Sequence, residues 1–231
     1  MFFGVKHRMK VSLILACVMC ALTSRAQESS IGLEFGPTIS QTERENYDYY
    51  EPFVGISANA FYQFEKKGVF TRSGIGLIQK GFNQELVYVD EAGNILGEGA
   101  VESVKHSYVN ISQVAGVKFG NTYFGSVAIG ARLAHYNKTV VSSARFELDN
   151  GTYIDAYKWK MNYLEPWDVS ALAIVGLGYK DELDRTFYVS MSYDYGFTKV
   201  KYRDLSTEIP FNHLNWTLQI GFSRLIPSLK K

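Results

Sequence analysis

The residues able to do chemistry fall into two groups. The first is a set of charges, Glu34, Arg72, Lys118, Arg132 and Asp194, with Lys80 and Asp168, each on the polar side of a segment whose other side is apolar. Charges enclosed in a narrow space must pair or reach water, because an unpaired buried charge is costly. They suit an internal network of salt bridges or, alternatively, the lining of a selective pore. The second group is His106, His135 and His213, with Ser107 and Asp168. Imidazole, hydroxyl and carboxylate together could serve a hydrolase or an acyltransferase. The chain has no G-x-S-x-G, no H-E-x-x-H and no recognisable metal-ligand spacing. No catalytic, cofactor-binding or metal-ligating residue is therefore assigned, and no cofactor is expected. Gly74-Ile75-Gly76 and Gly176-Leu177-Gly178 lie in mid-strand with no helix after them, which removes a phosphate-binding reading.

Such residues need elements to position them, and the pattern of those elements is period two. Val189, Met191, Tyr193 and Tyr195 alternate with Ser190, Ser192 and Asp194. Eight segments read this way, near 30–40, 53–65, 69–80, 107–119, 123–136, 168–180, 186–197 and 212–225. Each has about the 9–11 residues that a tilted membrane strand requires. No run of about 18 apolar residues follows Gln27, so no membrane helix is predicted there.

The connections alternate as strictly as the residues. Lys66-Lys67-Gly68, Gly120-Asn121-Thr122 and Asp181-Glu182-Leu183-Asp184 are short, whereas 41–52, 81–106, 137–167 and 198–211 are long. Short and long links in strict turn predict an all-β fold, an eight-stranded antiparallel up-and-down transmembrane barrel. Asn150-Gly151 suggests a two-residue hairpin, and Leu86-Val87-Tyr88-Val89 a second one, each carrying strands beyond the barrel rim. The loop tyrosines Tyr47, Tyr49 and Tyr50 stand among Glu43, Glu45, Asp48 and Glu51 and form a possible contact surface.

Glycine decides which face is which. Opposite the apolar set stand Gly32, Gly36, Gly74, Gly76, Gly116, Gly130, Gly176 and Gly178, interspersed with serine, threonine and asparagine. Glycine packs nothing on an exposed strand face, but it fits a lumen only just wide enough for side chains. Glycine is therefore placed inward and the apolar set outward. Aromatic residues of the outward set, Phe64, Phe119, Tyr123, Tyr179, Phe187 and Phe222, flank the short turns as an interfacial girdle would. In this topology the three histidines lie near the loop-side rim, and Asp194 faces Arg72 or Arg132.

The N-terminal stretch reads as a removable address. Lys6, Arg8 and Lys10 precede the apolar run 11–22, and Ser24-Arg25-Ala26 predicts cleavage before Gln27, with Met1 or Met9 as the start. Residues 1–26 are thus expected to be a signal peptide and 27–231 the barrel domain. Both cysteines, Cys17 and Cys20, fall in the address, which removes disulfide and thiol chemistry from the mature chain. Losing four positive charges takes the formal net charge from +1 to −3, with no basic block to suit nucleic acid.

The segments IGLEFGPTIS, GIGLIQKGF, DVSALAIVGLGYK, VSMSYDYGFTKV and NHLNWTLQIGFSRL carry a family resemblance. The chain resembles the PorT-like outer-membrane β-barrel family of Bacteroidota. That resemblance implies an outer-membrane barrel with periplasmic termini, outer-membrane lipid as its surroundings, and envelope or secretion-complex proteins as partners. The expected role is non-enzymatic: structural, adhesive or accessory. The alternatives are a rim hydrolase or acyltransferase and a soluble periplasmic ligand-binding barrel.

Overall fold

β-branched and aromatic residues at every second position build long strands, and here eight of them find a partner on both sides. The computed structural model describes residues 28–43, 50–161, 167–198 and 212–226. The expected signal peptide and its cleavage site lie outside these residues, as do Tyr47 and Tyr49. The strands are β1 (Glu28–Glu43), β2 (Tyr50–Lys66), β3 (Val69–Val89), β4 (Ile95–Phe119) and β5 (Tyr123–Ser143). Then come β6 (Phe146–Glu147), β7 (Tyr153–Ile154), β8 (Tyr157–Met161), β9 (Trp167–Lys180), β10 (Arg185–Gly196) and β11 (Asn212–Ile226).

Eight of these strands, β1 to β5 and β9 to β11, form one antiparallel ring. Each pairs with its neighbour in the sequence of barrel strands, and β1 closes on β11 from Ser29↔Ile226 to Glu43↔Asn212. Closure leaves no unpaired sheet edge around the ring, the condition for a sheet to sit in hydrocarbon.

The turns at one end are tight. Lys67 and Gly68 both have positive φ, 50° and 78°, and make the two-residue link whose twist matches a hairpin. The link from β9 to β10 is organised by Asp181. Its Oδ1 accepts the N–H groups of Leu183 and Arg185, each at 2.9 Å, and its Oδ2 accepts Arg185 Nε at 2.7 Å. Desolvation raises the pKa of this carboxyl, but the hydrogen bonds and charge of Arg185 outweigh it and leave the group below its ordinary value.

At the other end three strands run far past the ring, and the two links expected to carry hairpins beyond the rim become sheet over more of their length. β3 and β4 stay paired out to Val89↔Ile95, so the link expected over 81–106 shrinks to 90–94. Asp90 ties that tip, accepting Ala92 N–H at 2.9 Å and Asn94 N–H at 2.8 Å. β5 continues to Ser143 and is paired there by β8, not by the Asn150-Gly151 hairpin. That hairpin forms a separate small sheet, Phe146↔Ile154 and Glu147↔Tyr153, with a five-residue link in place of two. Leu148 is buried at its base, and Phe146 stacks on Tyr88 at 6.0 Å, so packing on the β3–β4 ribbon sets its geometry. β3, β4, β5 and β8 together make a ribbon whose inner face holds Phe82, Val104 and Val141. The Tyr157 hydroxyl donates to Glu102, which also accepts Gln84 Nε2 at 2.6 Å. Burial, then the Glu102 carboxylate, push the Tyr157 phenol above its ordinary value, so it stays a donor throughout the physiological range.

The faces are assigned by exposure. Leu33, Val54, Ile129 and Leu177 are 61, 66, 73 and 74 % exposed on the outside of the ring. Thr38, Asn59, Asn110, Ser192, Thr217 and Gln219 are buried inside it. The lumen holds large rings besides the glycines, small polar residues and charges that the pattern placed there. Phe61, Phe70, Tyr108 and Tyr188 also point inward, and the glycines make room for them. A β-carbon at Gly221 would collide with the Tyr188 ring, and one at Gly32 with the Phe61 ring.

Gly221→Ala is therefore expected to lower unfolding stability by about 1–3 kcal/mol, the usual range for overpacking. The same substitution in a Tyr188→Ala background should cost little more. Urea titration of the folded barrel in lipid would show this non-additivity, and equal losses in both backgrounds would contradict it.

Candidate functional site in the lumen

The inward charges meet in two layers. Near the short turns, Arg72 Nη1 lies 3.1 Å from Glu34 Oε2 and its Nε donates to Gln63 Oε1 at 3.0 Å. The Tyr188 hydroxyl donates to Glu34 Oε2 at 2.9 Å, and the guanidinium stacks 4.2 Å over the Phe61 ring. Beside them Lys118 Nζ pairs with Glu65 Oε2 at 3.4 Å. Near the long connections, Lys80 Nζ pairs with Asp168 Oδ2 at 2.7 Å, and Arg132 Nη1 pairs with Asp194 Oδ2. Four cations thus meet four anions, and the described lumenal pairs sum to zero charge.

None of these pairs joins hydrogen-bonded neighbours. Glu34–Arg72 links β1 to β3, Lys118–Glu65 links β4 to β2, Lys80–Asp168 links β3 to β9, and Arg132–Asp194 links β5 to β10. Each pair is a strut across the cross-section, so it braces the ring where backbone hydrogen bonds cannot.

The two ends of the lumen differ. Lys80 and Asp194 are fully buried, and Ile78, Tyr108 and Asn215 beside them are at most 1 % exposed. At the turn end, Glu34 and Arg72 keep 12 and 16 % exposure, and Glu65 keeps 19 %. A cavity of about 40 Å³ lies there against Arg72, Lys118, Glu65 and Tyr188. That is room for roughly one or two waters, far short of the several hundred Å³ of a small-molecule pocket. The loop-side half is a solid plug among the described residues, and the turn side a shallow recess.

The histidines do not converge as a rim site would require. His106 and His213 project into the lumen, fully buried, with their rings 5.7 Å apart. His106 Nδ1 is 2.8 Å from Thr139 Oγ1, which also accepts the Tyr136 hydroxyl at 2.9 Å. His135 faces outward, its ring 4.7 Å from that of Trp167. Ser107 follows inward His106 on β4 and so takes the outer face. Asp168 is held by Lys80. No hydroxyl, imidazole and carboxylate share a surface open to a substrate among these residues. Of the loop tyrosines, Tyr50 opens β2 and packs edge-on against Phe82 at 4.4 Å.

Sequence reasoning misses two of these partners, although each carries a signal. Glu65 follows outward Phe64 by one residue and is inward by period two, yet it ends its segment. Tyr188 alternates with Phe187 and Val189 in the same way. The choice between Arg72 and Arg132 for Asp194 needs the relative stagger of β3, β5 and β10, which no single segment encodes.

Asp194→Ala strands the Arg132 guanidinium in a dry site and is expected to cost about 3–5 kcal/mol. The double substitution Asp194→Leu with Arg132→Met should cost clearly less than Asp194→Ala alone. Equilibrium unfolding in lipid vesicles measures both, and a double variant as unstable as the single one would rule out the strut.

No family model matches the chain, and no curated protein matches it either. Among solved structures, it is similar to a major outer membrane protein from Thermus thermophilus, with TM-score 0.45 and 13 % identity over 86 % of this chain and 99 % of that one. It is also similar to Ail, the attachment invasion locus protein of Yersinia pestis, with TM-score 0.41 and 13 % identity over 85 and 99 % of the two chains. A third is the outer membrane protease OmpT from Escherichia coli, with TM-score 0.39 and 10 % identity over 87 and 98 %. At these values the barrel assignment rests on the chain's own strand pairing.

Proposed function

We propose that this chain is a non-enzymatic outer-membrane β-barrel of the PorT-like kind, acting as a structural, adhesive or accessory component of an envelope or secretion complex. The observation that carries the reading is the outer surface of the ring. Exposed Ile31, Leu33, Val54, Ile75, Ile129 and Leu177 form an apolar belt that water would not tolerate on a soluble barrel. Aromatic contacts border it at both ends: Tyr123–Tyr179 at 5.2 Å and Phe187–Phe222 at 5.1 Å below, Tyr193–Trp216 at 4.5 Å and His135–Trp167 at 4.7 Å above. From Phe187 to Tyr195, or from Tyr123 to His135, the belt spans roughly 20–30 Å at ordinary rise and tilt. That height fits a bilayer.

A plugged, charge-balanced lumen supports a role at the surface over transport. The protruding ribbon is where a partner would be met, and Val87, Val89, Ile95 and Val101 stand exposed on it. In this reading the short turns and both ends of the described barrel face the periplasm, and the ribbon faces outward. Among the described residues no hydroxyl, imidazole and carboxylate assemble for the rim-enzyme alternative, and a soluble ligand-binding barrel would need its apolar face inside.

The absence of cysteine after Cys20 makes orientation testable. A cysteine at Gly93 should react with a membrane-impermeant maleimide in intact cells, and one at Asn121 only after the envelope is opened. The reverse pattern would invert the topology. The purified barrel should also migrate faster unboiled than boiled and give no steady conductance in planar bilayers. A soluble, heat-insensitive protein would end the membrane reading.

A further inference from the structure

Four lysines stand on the outer face of the ribbon just above the apolar belt. On β5, Lys138 lies three residues beyond His135, whose ring meets Trp167 at the upper aromatic border. Val140, on the same face, is paired with Lys105 of β4 on one side and Lys160 of β8 on the other. Strands about 4.8 Å apart put those two lysines within about 10 Å of each other. Lys158 sits one step higher on β8, across from Ser142. Lys138, Lys158 and Lys160 are exposed and Lys105 half-buried. None of the four is in an ion pair among the described residues.

The acids of the ribbon lie elsewhere. Glu85, Glu91, Glu98, Glu147 and Asp149 are exposed towards its tip, farther from the belt than the lysines. On the outer face of β3, β4, β5 and β8 the unpaired charges are therefore segregated by height, lysines at the base and acids outward. Arg145 near the tip is paired with Asp155, Glu102 turns to the inner face, and Glu51 of neighbouring β2, level with Asn83, is the exception. Protection of a free sheet edge would explain Lys158 and Lys160 on β8. It does not explain Lys105, whose strand is paired on both sides at that level, with Gly81 on β3 and Val140 on β5.

We infer that this lysine face binds the phosphate groups of an anionic outer-leaflet lipid, clamping the base of the ribbon to the membrane surface. The inference rests on the proposed membrane reading and its orientation. Lys138 stands about 10 Å along the strand from the aromatic border, less once tilt is counted, which is headgroup height. Lysine stems can lie along the protein while their ammonium groups reach the phosphates. The acidic tip is repelled by the same surface, so the ribbon is held upright.

The test uses the whole barrel in nanodiscs of phosphatidylcholine, alone or doped with bisphosphorylated lipid A, and a variant with Lys105, Lys138, Lys158 and Lys160 all replaced by Gln. Insertion of both proteins into phosphatidylcholine discs checks the membrane reading by itself. Added lipid A should then raise the unfolding temperature of the wild type and enrich phosphorylated lipid around it, with affinity falling about fivefold per lysine replaced. A normal insertion with no response to lipid A, or an equal response from the variant, would overturn the inference. Lysine-dependent binding of heparin to phosphatidylcholine discs, without a lipid A effect, would do so too and would assign the face to a soluble polyanion.

Discussion

A charge inside an eight-stranded ring has little water to turn to, and the rest of the structure depends on how that constraint is met. Each lumenal cation stands against an anion from a strand that is not its neighbour. Glycine follows from the same constraint. Rings such as Tyr188 and Phe61 can reach the axis, and bind or stack on the Arg72–Glu34 pair, only because Gly221 and Gly32 leave room. Interior and exterior are thus one design. The outward positions are released to be apolar because the inward positions carry all the polar work of holding the ring in shape.

Much of this was legible in the residues themselves. Val189 to Gly196 gives the alternation, and the glycines opposite the apolar set give the direction of each face and so the inward position of Asp194. The strict order of short and long links gives the topology. What the pattern left open was anything depending on the stagger between distant strands, such as whether Asp194 meets Arg72 or Arg132. It also left open where a strand stops. Polar and apolar residues still alternate over 81–89 and 95–105, but only Leu86-Val87-Tyr88-Val89 read as a strand beyond the rim. Pairing between β3 and β4 carries both strands from the ring out to Val89 and Ile95. The histidines illustrate a third limit: height along the barrel was readable, but His106 and His135 fall on opposite faces, so the expected rim grouping does not assemble among the described residues.

The ribbon extends the barrel's own logic past the membrane. Above the rim the lumen has ended, yet β3, β4, β5 and β8 still have an inner face, and it switches from charged to apolar with Phe82, Val104 and Val141. Glu102, held by Tyr157 and Gln84, is the exception that ties β8 to β4. A surface element built this way is rigid at its base and ordered by Asp90 at its tip.

The strand-skipping ion pairs also have a consequence for how the barrel is made. No hairpin contains both members of any pair: Arg132 on β5 must wait for β10, and Lys80 on β3 for β9. A sheet of the first five strands can close Glu34–Arg72 and Glu65–Lys118 but leaves Lys80 and Arg132 without their anions. Neutralisation of the loop-side lumen therefore waits for β9 and β10. Two of the four struts are thus settled within β1 to β4, and the other two only when the second half of the chain joins the sheet.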